Sequence, residues 1–161
     1  MEGVNALQTD SCEQVNDRLM ERLKHIRPEE LPDFLERERG EMITSPHPFA
    51  DYMRRKLREK GRLQQEVFLA ADLSENYGYK LIAEEKHTRQ RDMVLRLCLA
   101  ARFQAEEVQE ALILYGMAPL YARLPRDAVL LAAIWRKIHD LQEVNGLLLR
   151  CGQAPLVEDY E

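Results

Sequence analysis

At 161 residues, 45% of them apolar, the chain is long enough to bury a core and too apolar for wholesale disorder. It contains no apolar run of roughly 18 residues and no basic-then-apolar leader at Met1–Asp10, so neither a membrane span nor a signal peptide is expected. The net charge of −5 argues against an indiscriminate nucleic-acid binder.

The charge is unevenly spread. Residues 1–45 carry 6 Lys/Arg against 11 Asp/Glu, residues 49–103 carry 12 against 8, and residues 104–161 carry 5 against 9. A basic module between acidic ones suits local phosphate contact. The three cysteines, Cys12, Cys98 and Cys151, are far apart and lack CxxC spacing. Two of them fall on apolar helical faces, where a buried thiol is expected, and a reducing cytoplasm follows.

Val15, Leu19, Leu23 and Ile26 recur at helical spacing and predict a first helix over residues 10–25. Pro28-Glu29-Glu30 reads as a second helix start, since proline and acids suit a first turn. Leu31, Phe34 and Leu35 give that helix its apolar edge, and the charged run Glu36–Glu41 reads as a solvated face. Residues 1–45 form an accessory helical segment in this reading. Pro46 and Pro48 then break the pattern and mark the clearest boundary in the chain.

From Phe49 the helical period resumes. Phe49, Tyr52, Met53 and Leu57 face inward, Arg54, Arg55, Lys56, Arg58 and Lys60 fill most of the remainder, and Gly61 terminates the helix. The next stretch, Gly61 to Lys86, reads as two short helices joined by a tight turn. Val67, Ala70 and Ala71 mark the inner side of the first, and Asp72 takes the turn position that tolerates a left-handed backbone. Ser74 is an N-cap for the second helix, with Tyr77, Leu81 and Ile82 inward and Glu75, Asn76, Tyr79 and Lys80 outward. Gly78 inside that helix costs about 1 kcal/mol relative to alanine. Close packing, close approach to DNA or a merely tolerated glycine accounts for it.

Two more helices are predicted over Arg91–Ala101 and Ala105–Tyr115, with Val94, Leu97, Cys98, Ala101, Val108, Ala111, Leu112 and Tyr115 inward. A repeat follows. Glu107–Leu120 (EVQEALILYGMAPL) matches Glu143–Leu156 (EVNGLLLRCGQAPL) at an offset of 36, and Arg91-Asp92-Met93-Val94-Leu95 matches Arg126-Asp127-Ala128-Val129-Leu130 at 35. The C-terminal half therefore reads as a duplicated helical hairpin, residues 117–161 adding a second copy of 89–120. Trp135 and Ile138 are expected to fill the seam between copies, and residues 157–161 to form an acidic tail.

No catalytic signature emerges. The histidines at 25, 47, 87 and 139 are scattered, with no second His or Cys at metal-ligand spacing and no glycine-rich phosphate loop. No enzyme activity, metal or cofactor is expected.

Phe49 to about Tyr115 resembles the lambda-repressor-like (Cro-type, XRE) helix-turn-helix family, five helices in order. Ala71, Leu73 and Ser74 match its turn pattern, and Lys80-Leu81 its basic-apolar pair. LSENYGYKLIAEEKHTRQRDMVLRLCLAARF with LYGMAPLYARLPRDAVLLAAI resembles a bacterial subgroup with a Tyr-Gly-Tyr recognition helix and a trailing Pro-Arg-Asp repeat. The resemblance spans roughly residues 30–156. It implies an all-α fold whose DNA-binding domain covers residues 46–116, and a sequence-specific transcriptional regulator.

In that reading Ser74–Glu84 enters the major groove N-terminus first. Asn76 pairs with adenine, Lys80 reaches guanine or phosphate, Glu75 accepts from cytosine, and Tyr79 stands on the same outward face. Gln64, where the family's phosphate-contacting glutamine lies, joins Lys86 and Arg89 in holding the backbone. Double-stranded DNA is the expected partner, with a homodimer and a serine/threonine kinase as further candidates, the latter because the subgroup often occurs near kinase genes. Phosphate on Ser74 would repel DNA; Thr44 and Thr88 are other candidate acceptors. The sequence departs from the family at Arg62, Asp72, Glu75 and Ala83-Glu84-Glu85. Those acids keep open an alternative, a helical protein-interaction module with weakened DNA binding.

Overall fold

A computed structural model describes residues 11–156 of the chain; the expected tail at 157–161 lies outside them. The described residues are all-helical, with nine α-helices, two 3-10 turns and no strand. The chain divides into two compact units between Thr44 and Ser45.

In the first unit, α1 (Cys12–Leu23) opens on a capping box. The Ser11 hydroxyl accepts from the Gln14 N–H at 3.3 Å, and the Gln14 side chain accepts from the Ser11 N–H at 2.7 Å. Pro28–Glu30 forms a 3-10 turn that leads into α2 (Leu31–Arg37), and a second 3-10 turn follows at Arg39–Glu41. The buried apolar stripe is narrower than the sequence predicts. Leu19 and Phe34 are buried, whereas Leu23, Leu31 and Leu35 are exposed. Arg22 covers the Phe34 ring at 5.1 Å and pairs with Glu38.

The second unit contains α3 (Pro48–Glu59), α4 (Gln64–Ala70), α5 (Glu75–Ile82), α6 (Arg91–Ala100), α7 (Ala105–Leu114), α8 (Pro125–Trp135) and α9 (Leu141–Arg150). Its hub is α6, buried from Asp92 to Ala100, because α4, α7 and α9 all pack on it. A helix covered on several sides needs apolar residues around its circumference, which RDMVLRLCLA supplies. Helix α3 packs on α7 and α5, and α8 lies against α7 and α9. Cys98 sits at the centre of α6, where burial pushes its thiol pKa well up.

Tight left-handed turns end α4, α6 and α8. Asp72, Arg102 and Lys137 have φ of 55°, 57° and 59°, and each is followed by a residue whose N–H reaches back five positions. The bonds are Leu73 to the Phe68 carbonyl (2.9 Å), Phe103 to Cys98 (3.0 Å) and Ile138 to Ala133 (2.9 Å).

The duplicated hairpin closes in the same way twice. The Leu120 N–H donates to Gln109 Oε1 at 2.6 Å, and the Leu156 N–H donates to Asn145 Oδ1, its counterpart, at 2.8 Å. Arg91 donates to the Ala118 carbonyl and Arg126 to the Ala154 carbonyl, at 3.4 and 2.9 Å. Between copies the Arg-Asp pairs are exchanged. Arg126 forks onto Asp92 at 2.8 and 2.9 Å, while Arg91 donates to Asp127 Oδ2 at 3.2 Å and pairs with its other oxygen.

Three expectations are corrected here. Trp135 does not fill the seam; it is 65% exposed at the last position of α8, where Ile138 alone packs partly against the core. Only Cys98 of the three cysteines is buried, not two: Cys12, at the first position of α1, and Cys151, at the C-cap of α9, are exposed. Ala70 is also exposed, and Phe68 takes the inward position beside Val67.

Candidate nucleic-acid interface

The pair α4–α5 is held by three kinds of contact. Buried side chains come first: Val67, Phe68, Ala71, Leu73, Tyr77, Leu81 and Ile82 form its inner surface. Second, Gly78 has no room for a side chain. A β-carbon there would stand 2.6 Å from Phe68 Cγ and 2.7 Å from Cε1. This glycine serves close packing of α5 on α4, one of the three readings the sequence allows. Third, Arg96 reaches out of α6 into the turn. Its side chain, 2% exposed, donates from Nε to the Ala71 carbonyl at 3.0 Å and from Nη2 to the Asp72 carbonyl at 3.1 Å. A buried guanidinium thereby satisfies two carbonyls that the helix end leaves open.

The candidate contact residues are arranged as follows. Ser74 caps α5, its hydroxyl accepting from the Tyr77 N–H at 3.3 Å. Glu75, Asn76, Tyr79 and Lys80 are all exposed, on the face away from Tyr77, Leu81 and Ile82. The Tyr79 ring packs nearly perpendicular to the Phe68 ring, with centroids 4.9 Å apart, so its position is fixed while its surface stays accessible. Gln64 is half-buried at the first position of α4. Arg89 is exposed in the segment leading to α6. Lys86 is exposed as well, and its ammonium lies 4.9 Å from the centre of the Tyr77 ring.

Of the acids that work against phosphate contact, Glu84 is turned away to another task. With φ at 60°, it accepts from the Ala50 N–H at 3.3 Å at the start of α3, and its Oε2 lies 3.6 Å from His47 Nδ1. A carboxylate there suits the positive end of a helix. Glu75 and Glu85 remain exposed. The segment after α5 is fixed by Tyr115, whose hydroxyl accepts from the Thr88 N–H at 2.8 Å while the His87 ring stacks on its own at 4.7 Å. Thr88 is buried, and its hydroxyl accepts from the Gln90 N–H, which leaves it a poor phosphate acceptor.

Sequence reasoning overlooked Arg96 and the inward turn of Glu84. A lone arginine within an apolar helix was the available signal for the first; nothing local marks the second, because its partner is 34 residues away. Among the described residues no helix is long and apolar enough to cross a membrane, and no group of three His, Cys, Asp or Glu is placed to hold a metal ion. Comparison with family models, curated proteins and solved structures gives no match.

Proposed function

We propose that this chain is a sequence-specific DNA-binding transcriptional regulator of the lambda-repressor-like helix-turn-helix type, with α4 and α5 as the motif and α5 as the recognition helix. One observation carries the reading: Glu75, Asn76, Tyr79 and Lys80 form an exposed polar face on a helix whose other face is buried and whose entry turn is clamped by Arg96. A groove-reading helix needs that combination, since base contacts demand side chains held in register by a rigid scaffold. Asn76 and Lys80 read bases, and Gln64 and Arg89 touch phosphates. Lys86, drawn over Tyr77, contributes charge near the backbone.

Selection from a random duplex library tests this without knowledge of the operator. Enrichment of one motif supports the reading, and a palindromic motif adds a homodimer with half-sites one helical turn apart. A library that stays unenriched contradicts it.

A second reading is favoured by Trp135 and Leu149, 65% and 62% exposed on the appended hairpin. Tryptophan is enriched among the residues that anchor protein interfaces, and an exposed Trp135 supports a protein-interaction role beside or instead of DNA binding. A kinase partner would act most directly at Ser74, the exposed cap of α5.

A further inference from the structure

Helices α3, α6 and α8 each finish in a turn carrying cations whose charges act on one histidine, His139. The α3–α4 turn brings Lys60 and Arg62, the α6–α7 turn brings Arg102, and the α8–α9 turn brings Lys137 and His139. Lys60 Nζ lies 5.7 Å from the centre of the Phe103 ring, next to Arg102 in the chain. Arg102 and Lys137 occupy equivalent left-handed positions in the two copies of the repeat, so the duplication supplies a cation at the same point of each copy.

Three of these cations lack a counter-charge. Arg62, Arg102 and Lys137 make no ion pair or side-chain hydrogen bond among the described residues. Of the carboxylates, Glu107 pairs with Lys60 at 2.7 Å and Lys56 at 3.6 Å, leaving the other three cations unpaired, and Asp140 caps α9 by accepting from the Glu143 N–H at 3.1 Å. Among the cations sits His139, whose Nδ1 is buried without a hydrogen-bond partner. Burial, then the charges of Arg102, Arg62, Lys60 and Lys137, push its pKa below the ordinary histidine value. Like charges held together repel one another unless an anion joins them.

We propose that Arg62, Arg102, Lys137 and His139, with Lys60, form a phosphate-binding site. Guanidinium forks and an ammonium suit a multiply charged oxyanion, and the imidazole offers a further donor once protonated. Arg62 stands two residues before Gln64, so the site is continuous with the phosphate-contacting end of the proposed interface. A duplex backbone phosphate and a free phosphoryl compound share the required chemistry. The duplex source rests on the DNA-binding reading, whereas the site itself does not.

Two arms on the full chain separate these sources, each comparing wild type with the Arg102→Gln/Lys137→Gln double variant. Both substitutions fall on exposed turn positions, and circular dichroism checks that the fold persists. In the first arm, pyrophosphate is titrated while the His139 imidazole resonances are followed by NMR. Wild type should show saturable shifts and an upward move of the His139 pKa; the double variant should show neither. In the second arm, the salt dependence of duplex binding is measured. The double variant should lower the slope of log K against log salt by about 2 without changing sequence preference.

A change in the slope assigns the site to the duplex, and a pyrophosphate response without it assigns the site to a free phosphoryl compound. If the chain binds no duplex yet pyrophosphate moves His139, the DNA reading fails and the site stands. If duplex binding is intact while both arms are unaffected by the double variant, the site is overturned and the DNA reading stands.

Discussion

The ring of Phe68 occupies the space that a β-carbon on Gly78 would need. Both residues are buried, and the Tyr79 ring stands nearly perpendicular to the Phe68 ring with centroids 4.9 Å apart. Gly78→Ala gains about 1 kcal/mol of helix propensity and loses more through overlap with a ring that cannot retreat. A net destabilisation of about 1–3 kcal/mol is expected in urea unfolding.

Arg96 acts on the same pair from the other side. Arg96→Met keeps the apolar stem but strips the Ala71 and Asp72 carbonyls of their donors. A loss of about 3 kcal/mol is expected. Hydrogen exchange should accelerate at residues 71–74 more than in α7, which separates an unclamped turn from general loosening.

Exchanged ion pairs dock the added hairpin. Asp127 is 1% exposed and accepts from Arg91 and from the Tyr121 N–H at 3.0 Å. Asp127→Ala leaves a partly buried guanidinium unpaired and should cost about 3 kcal/mol. The Arg91→Ala/Asp127→Ala double variant should cost less than the two single changes added together, as a double-mutant cycle by denaturation would measure.

His139 supplies a pH dependence with a definite sign. Its folded pKa is lowered by burial and by the four surrounding cations, so the unfolded chain takes up the proton first as pH falls. Above about pH 6.5 the imidazole is neutral in both states and contributes nothing. Stability should decline below that value and level off once the folded imidazole is also protonated. His139→Gln should remove this part of the slope in thermal unfolding between pH 7 and pH 5.

Ser74 can be tested for two properties at once. Ser74→Ala removes the cap and should cost about 1 kcal/mol. Ser74→Asp keeps a capping oxygen but adds a negative charge at the leading end of α5. Its stability should stay close to wild type while duplex binding weakens, as polarisation binding would show; equal binding by both forms would remove Ser74 from the interface.

Much of the helical layout is legible because its signals are local. Pro48 and Gly61 bound α3, Ser74 opens α5, and Asp72 adopts the left-handed turn that its position implies. The inward faces of α3, α6 and α7 follow from helical spacing, and those residues are buried. Trp135 misleads because hydrophobicity alone cannot tell which way the last residue of a helix points. Its counterpart in the first copy, Ala100, is buried on α6, against which α4, α7 and α9 pack, whereas α8 is packed by α7 and α9. The repeat is plain in the sequence, yet the crossed pairing of Arg91 with Asp127 and Arg126 with Asp92 depends on stacking. Glu84 and Arg96 likewise take partners more than twenty residues away.

The most direct test of the central claim is fluorescence-polarisation binding to the DNA upstream of the chain's own gene, against a scrambled duplex, at two salt concentrations. The account predicts tighter, salt-sensitive binding to the native duplex, weakened roughly tenfold by Asn76→Ala through loss of a base contact. Lys80→Ala should weaken it as well. Equal binding to both duplexes, or none to either, would contradict it.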